Sequence, residues 1–220
     1  MPKSSLPRVS GLYAVTPPSL GPSTLLARVE QALCGGAQLV QLRAKNWTTE
    51  QIERTAFAMR ETTRRHRAIF IVNDDIDLAR RIGADGVHLG LSDATWEEVR
   101  EIARENLLVG VSCYNDLNRA RLAQSAGAGY VAFGSMFASR TKPDAVRATL
   151  DLLRSARSVL TIPIVAIGGI EPDTAVRVVE AGADAVAVIS GLFDAPDVGV
   201  AAQNYVRAFP SKSEFFESTT

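Results

Sequence analysis

The sequence has few cysteines and no excess of charge of either sign. Its 220 residues include only Cys34 and Cys113, too few for a disulfide framework. Lysine and arginine together number 24, as do aspartate and glutamate, so the chain lacks the basic surface that nucleic-acid binding usually requires. No charged segment followed by an apolar one opens the chain, as it would in a secretory signal. We therefore expect a reduced, cytoplasmic protein that binds no nucleic acid.

Long apolar runs are also missing. No run approaches the roughly 20 residues needed to span a bilayer, which argues against an integral membrane protein. A hydrophobic fraction of 46% with 22% charged residues is instead ordinary for a globular protein with a sizeable core.

A short phrase, Gly-Ala-x-x-Val, recurs four times. It begins at Gly36, Gly83, Gly127 and Gly182, a spacing of roughly 45 to 55 residues that indicates an internal repeat. Each copy follows a segment with helical spacing and leads into a short apolar run, as when a helix ends at a left-handed glycine and a strand follows. If one phrase precedes every second strand, the four copies imply about eight strand-helix units. The predicted fold is therefore α/β, a single-domain (β/α)8 TIM barrel.

The apolar runs place the strands of this barrel. They lack polar alternation, as strands buried on both faces do. The runs are 11–16, 39–43, 68–73, 86–89, 107–112, 130–134, 162–167 and 184–190. Helical spacing fills the intervals, including 144–158 after the sixth run. Residues 9–209 are expected to form the catalytic barrel, with residues 1–8 and 210–220 as tails.

Polar residues follow the apolar runs, where the active site of such a barrel lies. Gln41, Arg43 and Lys45 alternate along the second strand and are expected to face the barrel mouth together. Lys142 follows the sixth strand and adds a further cation. This set favours binding of an anion with several oxygens, and ion pairing across the barrel top is the alternative.

Two carboxylates follow neighbouring strands. Asp74 and Asp93 could together hold one hard cation, Mg²⁺ being the expected one, which usually bridges one or two carboxylates to substrate phosphates. A general acid and base for sugar hydrolysis is the weaker alternative, because no aromatic platform for a sugar is evident. Asp75 is expected to cap the next helix instead.

Small residues follow the last two strands. Gly168-Gly169 and Ile189-Ser190-Gly191 match the position where these barrels often bind phosphate, although a Gly-Gly pair also suits a tight turn. His88 is expected either to line the pocket or to be a hydrogen-bonded interior residue. His66, late in a helix, is expected to be solvated.

In combination these motifs resemble the thiamine-phosphate synthase (thiamine-phosphate pyrophosphorylase) family. The resemblance covers nearly all of the chain between the predicted tails. It rests on the following segments: Gln41-Leu42-Arg43-Ala44-Lys45, Ile71-Val72-Asn73-Asp74-Asp75, Asp85-Gly86-Val87-His88-Leu89-Gly90 with Asp93, Gly110-Val111-Ser112, Thr141-Lys142 and Ile167-Gly168-Gly169-Ile170. It implies a (β/α)8 transferase that joins a hydroxymethylpyrimidine diphosphate to a thiazole phosphate, releasing pyrophosphate and forming thiamine phosphate.

The resemblance also implies roles for individual residues. Asp74 and Asp93 would bind Mg²⁺. The pyrimidine diphosphate would contact Gln41, Arg43, Lys45, Asn73, Ser112 and Lys142, among which Arg43, Lys45, Ser112 and Lys142 would be catalytic. The thiazole phosphate would contact Ser139, Thr141, Gly169, Ile189 and Ser190. The chain departs from the common family pattern at Leu91, Cys113-Tyr114 and Ser139.

Two other functions remain open at this stage. A related thiazole tautomerase, an isomerase on the same scaffold, resembles the chain less well because Tyr114 occupies the position of its histidine. A non-catalytic protein that binds thiamine precursors would share the binding residues. The sequence leaves the oligomeric state open, whether monomer or homo-oligomer, together with the role of Phe215-Phe216.

Overall fold

A computed structural model describes residues 6–44, 47–90, 92–138 and 146–210. Eight parallel strands pair in chain order, and the eighth closes the barrel against the first. The strands are β1 (Gly11–Val15), β2 (Leu39–Leu42), β3 (Ile69–Asn73), β4 (Gly86–Leu89), β5 (Leu108–Tyr114), β6 (Tyr130–Phe133), β7 (Ile164–Ile167) and β8 (Ala185–Val188). The predicted (β/α)8 barrel is confirmed.

Helices alternate with the strands. They are α1 (Pro22–Cys34), α2 (Thr49–Arg65), α3 (Ile76–Ile82), α4 (Trp96–Arg104), α5 (Leu117–Ser125), α6 (Leu150–Val159), α7 (Pro172–Glu180), α8 (Ser190–Phe193) and α9 (Val198–Val206). The predicted start of the sixth helix was too early, because Thr149 caps α6 through its hydroxyl and residues 146–148 are not helical. The single turn α8 was not predicted.

The repeated glycines do end the helices. Gly36, Gly83, Gly127 and Gly182 have φ of +102°, +63°, +92° and +108°. These are values that glycine tolerates and side-chain-bearing residues rarely adopt. Each turn brings the chain to the amino end of the next even-numbered strand. The repeat therefore belongs to the scaffold, at the barrel end opposite the expected active site.

Two buried layers explain why the strands lack polar alternation. Inside the barrel, Tyr13, Leu39, Ile71, Tyr130 and Val165 pack together with other inward residues. Their neighbours along the strands point outward and pack under the helices in a second, larger cluster. Both faces of each strand are thus covered, as a barrel requires.

Side chains cap the starts of several helices. The side chains of Thr48, Asp75, Thr95 and Asp116 each accept a backbone N–H of the helix that follows. Asp75 is therefore a cap, as predicted. Within the described residues, no helix has the length and apolar character needed to cross a membrane.

Candidate active site

A continuous chain of side-chain hydrogen bonds crosses the interior of the barrel. Gln41 Nε2 donates to Tyr13 Oη at 2.8 Å, and Tyr13 Oη lies 2.8 Å from Tyr130 Oη. Tyr130 Oη lies 2.9 Å from His88 Nδ1, whose Nε2 is 2.9 Å from Ser112 Oγ. Five strands are linked in this way, with Gln41 and Ser112 at the two ends.

Two proton arrangements satisfy the contacts of this chain. In the one that leaves the Ser112 proton free, Tyr13 accepts from Gln41 and donates to Tyr130, which in turn donates to Nδ1 of His88. A neutral His88 then carries its proton on Nε2 and donates to Ser112 Oγ. The Oε1 acceptor of Gln41 and the hydroxyl proton of Ser112 are the groups left for a ligand.

The buried surroundings keep every member of this chain uncharged at neutral pH. Burial lowers the pKa of His88 to about 4, against a smaller opposing effect of Asp93. Burial also raises the pKa of both Tyr13 and Tyr130 well above the ordinary tyrosine value. Of the two alternatives for His88, the structure therefore favours the hydrogen-bonded interior residue, and its imidazole is neutral.

Removing one hydroxyl should show how much this hydrogen-bonded chain contributes to the free energy of unfolding. Tyr130→Phe leaves Nδ1 of His88 without a partner and Tyr13 Oη with Gln41 alone, whereas no buried side-chain nitrogen or oxygen of the described residues now lacks a partner. We expect a loss of about 1 to 3 kcal/mol in the free energy of unfolding, measured with denaturant.

Tyr114→Phe is the matched control for that substitution. Tyr114 is 43% exposed. Removing its hydroxyl should change the free energy of unfolding by less than about 0.5 kcal/mol. Equal effects of the two substitutions would show that the interior chain adds no stability.

The two predicted metal ligands, Asp74 and Asp93, lie side by side at the barrel mouth. The pKa of Asp74 is raised to about 6 by partial burial and then by its contact with the Asp93 carboxyl, with Asn73 and Arg43 opposing. Asp74 also has φ of +63°, unusual for a residue other than glycine. Two crowded carboxylates, one of them on the left-handed backbone of Asp74, offer the hard oxygen donors that a divalent cation such as Mg²⁺ requires.

The charged groups beside this pair come from neighbouring strand ends. Arg43 is half-buried, and its backbone N–H bonds Thr16 Oγ1 at 2.8 Å, which ties the ends of β1 and β2 together. Asn73 donates from its side chain to Asp74. A cavity of about 370 Å³ opens along Arg43, Asn73 and Asp74. The ends of β2, β3 and β4 thus bring a cation, an amide and two carboxylates together.

The glycine pair after β7 has a structural reason of its own. Gly168 and Gly169 have φ of +100° and +64°. A Cβ on either glycine would collide with the segment 135–138. The backbone N–H of Phe137 in that segment donates to the carbonyl oxygen of Gly168 at 2.9 Å. The turn is therefore necessary for packing, and packing alone explains the glycines. Ile189 and Ser190 begin α8 after the adjacent strand β8.

Several residues singled out in the sequence lie outside the described residues. These are the predicted site residues Lys45, Ser139, Thr141 and Lys142, together with Leu91 and the terminal Phe215-Phe216. Their predicted roles stay predictions.

Sequence reasoning missed three residues that position the site. Tyr13 and Tyr130 form the middle of the interior chain. The sequence signal for them was a tyrosine within an otherwise apolar strand, because a buried tyrosine hydroxyl needs a hydrogen-bond partner. Arg119 on α5 donates to the backbone oxygens of Ser112 and Gly90 at 2.8 and 3.0 Å. It also lies over the Trp96 ring, 5.0 Å from its centroid. Arg119 thereby fixes the ends of β4 and β5 relative to each other.

Comparison with known proteins shows the family of the chain. Residues 12–192 match the family model described as thiamine monophosphate synthase. Thiamine-phosphate synthases of Thioalkalivibrio sulfidiphilus and Chromobacterium violaceum are 48% and 50% identical to the chain, covering 92% and 90% of it and 96% and 95% of the relatives.

A solved structure is similar as well. The thiamine phosphate pyrophosphorylase of Pyrococcus furiosus superimposes with a TM-score of 0.82 at 38% identity, over 90% of this chain and 94% of that one. The family match extends from β1 into α8, over most of the barrel. The chain belongs to the thiamine monophosphate synthase family, whose members are transferases of thiamine biosynthesis.

Proposed function

We propose that this protein condenses a 4-amino-2-methylpyrimidine carrying a 5-diphosphooxymethyl group with a thiazole phosphate, giving thiamine phosphate and pyrophosphate. The residue assignments rest on two features that meet at the mouth of the barrel. One is the polar chain ending at Gln41 and Ser112, and the other is the Asp74–Asp93 pair beside Arg43. The first suits a neutral heterocycle and the second suits a cation with a polyanion.

The ends of the polar chain complement an aminopyrimidine. An exocyclic amino group donates hydrogen bonds and the adjacent ring nitrogen accepts one. Gln41 Oε1 supplies the acceptor, and the Ser112 hydroxyl supplies the donor when His88 holds its oxygen from behind. A neutral site also leaves the electron-rich ring unprotonated. Gln41, Asn73 and Ser112 would therefore orient the pyrimidine.

The diphosphate is assigned to the charged side of the mouth. Arg43 would bind its oxygens there, with Lys45 and Lys142 as further cations from the sequence prediction. Mg²⁺, held by Asp74 and Asp93, would neutralise charge on the diphosphate. The fit of that ion is supported by the repulsion between the two carboxylates, which a divalent cation would relieve.

The chemistry needs no nucleophilic side chain. The bond between the pyrimidine methylene carbon and the diphosphate oxygen breaks, and pyrophosphate takes the electron pair. The 4-amino group donates electron density to the resulting carbocation through the ring. The thiazole nitrogen then forms the new C–N bond with its own lone pair. Residues such as Arg43 contribute by positioning the substrates and stabilising the departing charge.

The thiazole phosphate is assigned to the loops after β6, β7 and β8. Gly169, Ile189 and Ser190 lie at the ends of β7 and β8, where barrels of this fold often bind phosphate with the help of a short extra helix. The short helix here is α8. Ser139 and Thr141 complete the proposed set from the sequence resemblance.

A turnover assay tests this function directly. The protein is incubated with both substrates and Mg²⁺, and we expect equimolar thiamine phosphate and pyrophosphate. Isomerisation of a thiazole phosphate without pyrophosphate release would indicate the tautomerase instead. Substrate binding without product at high enzyme concentration would indicate a non-catalytic binder and overturn the proposal.

A further inference from the structure

Three metal-binding side chains lie together on the helical surface, away from the active site. Potential ligand atoms of Glu30, Cys34 and His66, a carboxylate oxygen, a sulfur and an imidazole nitrogen, all lie within 4.8 Å of one another. We propose that these three residues form a binding site for a single Zn²⁺ ion. The site is independent of the proposed Mg²⁺ site, because it shares no residue with it.

The fold brings these residues together at two helix ends. Glu30 and Cys34 are four residues apart on α1 and therefore share one face of that helix. His66 is the C-cap of α2. Because α1 and α2 lead into β2 and β3, the cluster lies near the amino ends of these strands, opposite the active site. The partial negative charge of two helix C-termini favours a cation here.

The ligand set selects zinc over magnesium. Sulfur, imidazole nitrogen and carboxylate oxygen are the ligands of Zn²⁺ in proteins, and three of them leave a fourth tetrahedral position for water. Mg²⁺ prefers an octahedron of oxygens and keeps much of its hydration. The Mg²⁺ expected at the barrel mouth should therefore bind this surface cluster poorly.

The carboxylate and the imidazole are already oriented. Glu30 Oε1 lies 2.8 Å from His66 Nε2, and Arg65 Nη2 donates to the other oxygen, Oε2, at 3.2 Å. Zn²⁺ would take Oε1 and Nε2 while Arg65 keeps the carboxylate in place.

His66, expected to be solvated, lies at the surface with its side chain 24% exposed, and its imidazole also bonds Glu30. The signal that the sequence offered was the Glu30-Cys34 spacing, but nothing local linked it to a histidine 32 positions further along the chain from Cys34.

Cobalt is the spectroscopic probe for this site. Titrating the full chain with Co²⁺ should produce a thiolate-to-cobalt charge-transfer band at one ion per chain, and Zn²⁺ should displace the cobalt. Cys34→Ser should abolish the band and weaken Zn²⁺ binding by about 10-fold or more. His66→Gln should weaken Zn²⁺ binding by a similar factor. Cys113→Ser is the matched control and should keep the band, because Cys113 is buried inside the protein.

Thermal unfolding gives a second readout. Zn²⁺ at about 100 times its Kd should raise the Tm of the wild type by roughly 5 to 10 °C, and the same Zn²⁺ concentration should raise the Tm of Cys34→Ser by about half as much or less. Turnover by Cys34→Ser should equal that of the wild type, which verifies its fold and separates this proposal from the synthase assignment.

Two results would overturn the zinc site. They are a wild type without a charge-transfer band and a Cys34→Ser variant with unchanged Zn²⁺ affinity.

Discussion

Asp93→Asn is expected to lose about 100-fold or more of the synthase activity, while its metal-free form becomes more stable than the wild type at pH 8. The loss follows from the proposed metal site, because an amide is a poor ligand for a hard cation. The gain follows from the crowding of the two carboxylates, since the amide introduced by the substitution could donate a hydrogen bond to Asp74. Function and stability thus change in opposite directions.

The pH dependence of this stability gain has a definite sign. Asp74 has a folded pKa of about 6 against an ordinary pKa of 3.8, so its ionisation opposes folding. The penalty is absent below the unfolded pKa, grows as the pH rises between the two values and is complete above about pH 6. The difference in Tm between variant and wild type, measured with a chelator, should therefore be largest above pH 6 and should shrink toward pH 4.

Asp151→Asn is the control for this experiment. It makes the same chemical change at an exposed residue of α6 paired with Arg154, and it should leave activity unchanged. Equal stability of Asp93→Asn and the wild type at every pH would contradict the close carboxylate pair. Full activity of Asp93→Asn would remove Asp93 from the proposed metal site.

Arg43→Met is expected to reduce kcat/KM by about 10² to 10³, because it removes a half-buried cation that would stabilise the departing pyrophosphate. Methionine keeps most of the side-chain volume, so packing around the end of β2 is largely preserved. Pyrophosphate release in a single turnover measures the effect on the chemical step.

Arg43→Lys is the matched variant. It keeps the charge but loses the planar fork of donors, so its activity should lie between those of the wild type and Arg43→Met. The charge of Arg43 also opposes the raised pKa of Asp74, and that pKa should rise further in Arg43→Met, as carboxyl NMR can measure. Activity of Arg43→Met close to that of the wild type would exclude Arg43 from the reaction.

The scaffold could be predicted from sequence because its signals are local. A glycine at the end of a helix needs its positive φ whatever the rest of the fold does, and Gly83 shows this in the left-handed conformation. Strand and helix positions followed from apolar runs and from caps such as Asp75. The start of α6 was mistaken because the helical spacing continued past the Thr149 cap, and spacing alone does not mark a boundary.

The interior of the site could not be predicted in the same way. Tyr13 and Tyr130 are 117 residues apart and lie on β1 and β6, so only closure of the barrel brings their hydroxyls together. Gly110 on β5 was also uninformative in sequence, although a Cβ there would collide with the Tyr130 ring. The carboxylate pair could be predicted because the ends of neighbouring strands must lie close in space.

The most direct test of the proposed site is a crystal structure with thiamine phosphate, pyrophosphate and Mn²⁺ in place of Mg²⁺. The anomalous signal of manganese should lie between the carboxylates of Asp74 and Asp93, with Arg43 on the pyrophosphate. The aminopyrimidine should contact Gln41 Oε1 and Ser112 Oγ. A manganese peak away from both aspartates, or a pyrimidine bound out of reach of Gln41 and Ser112, would contradict the proposed site.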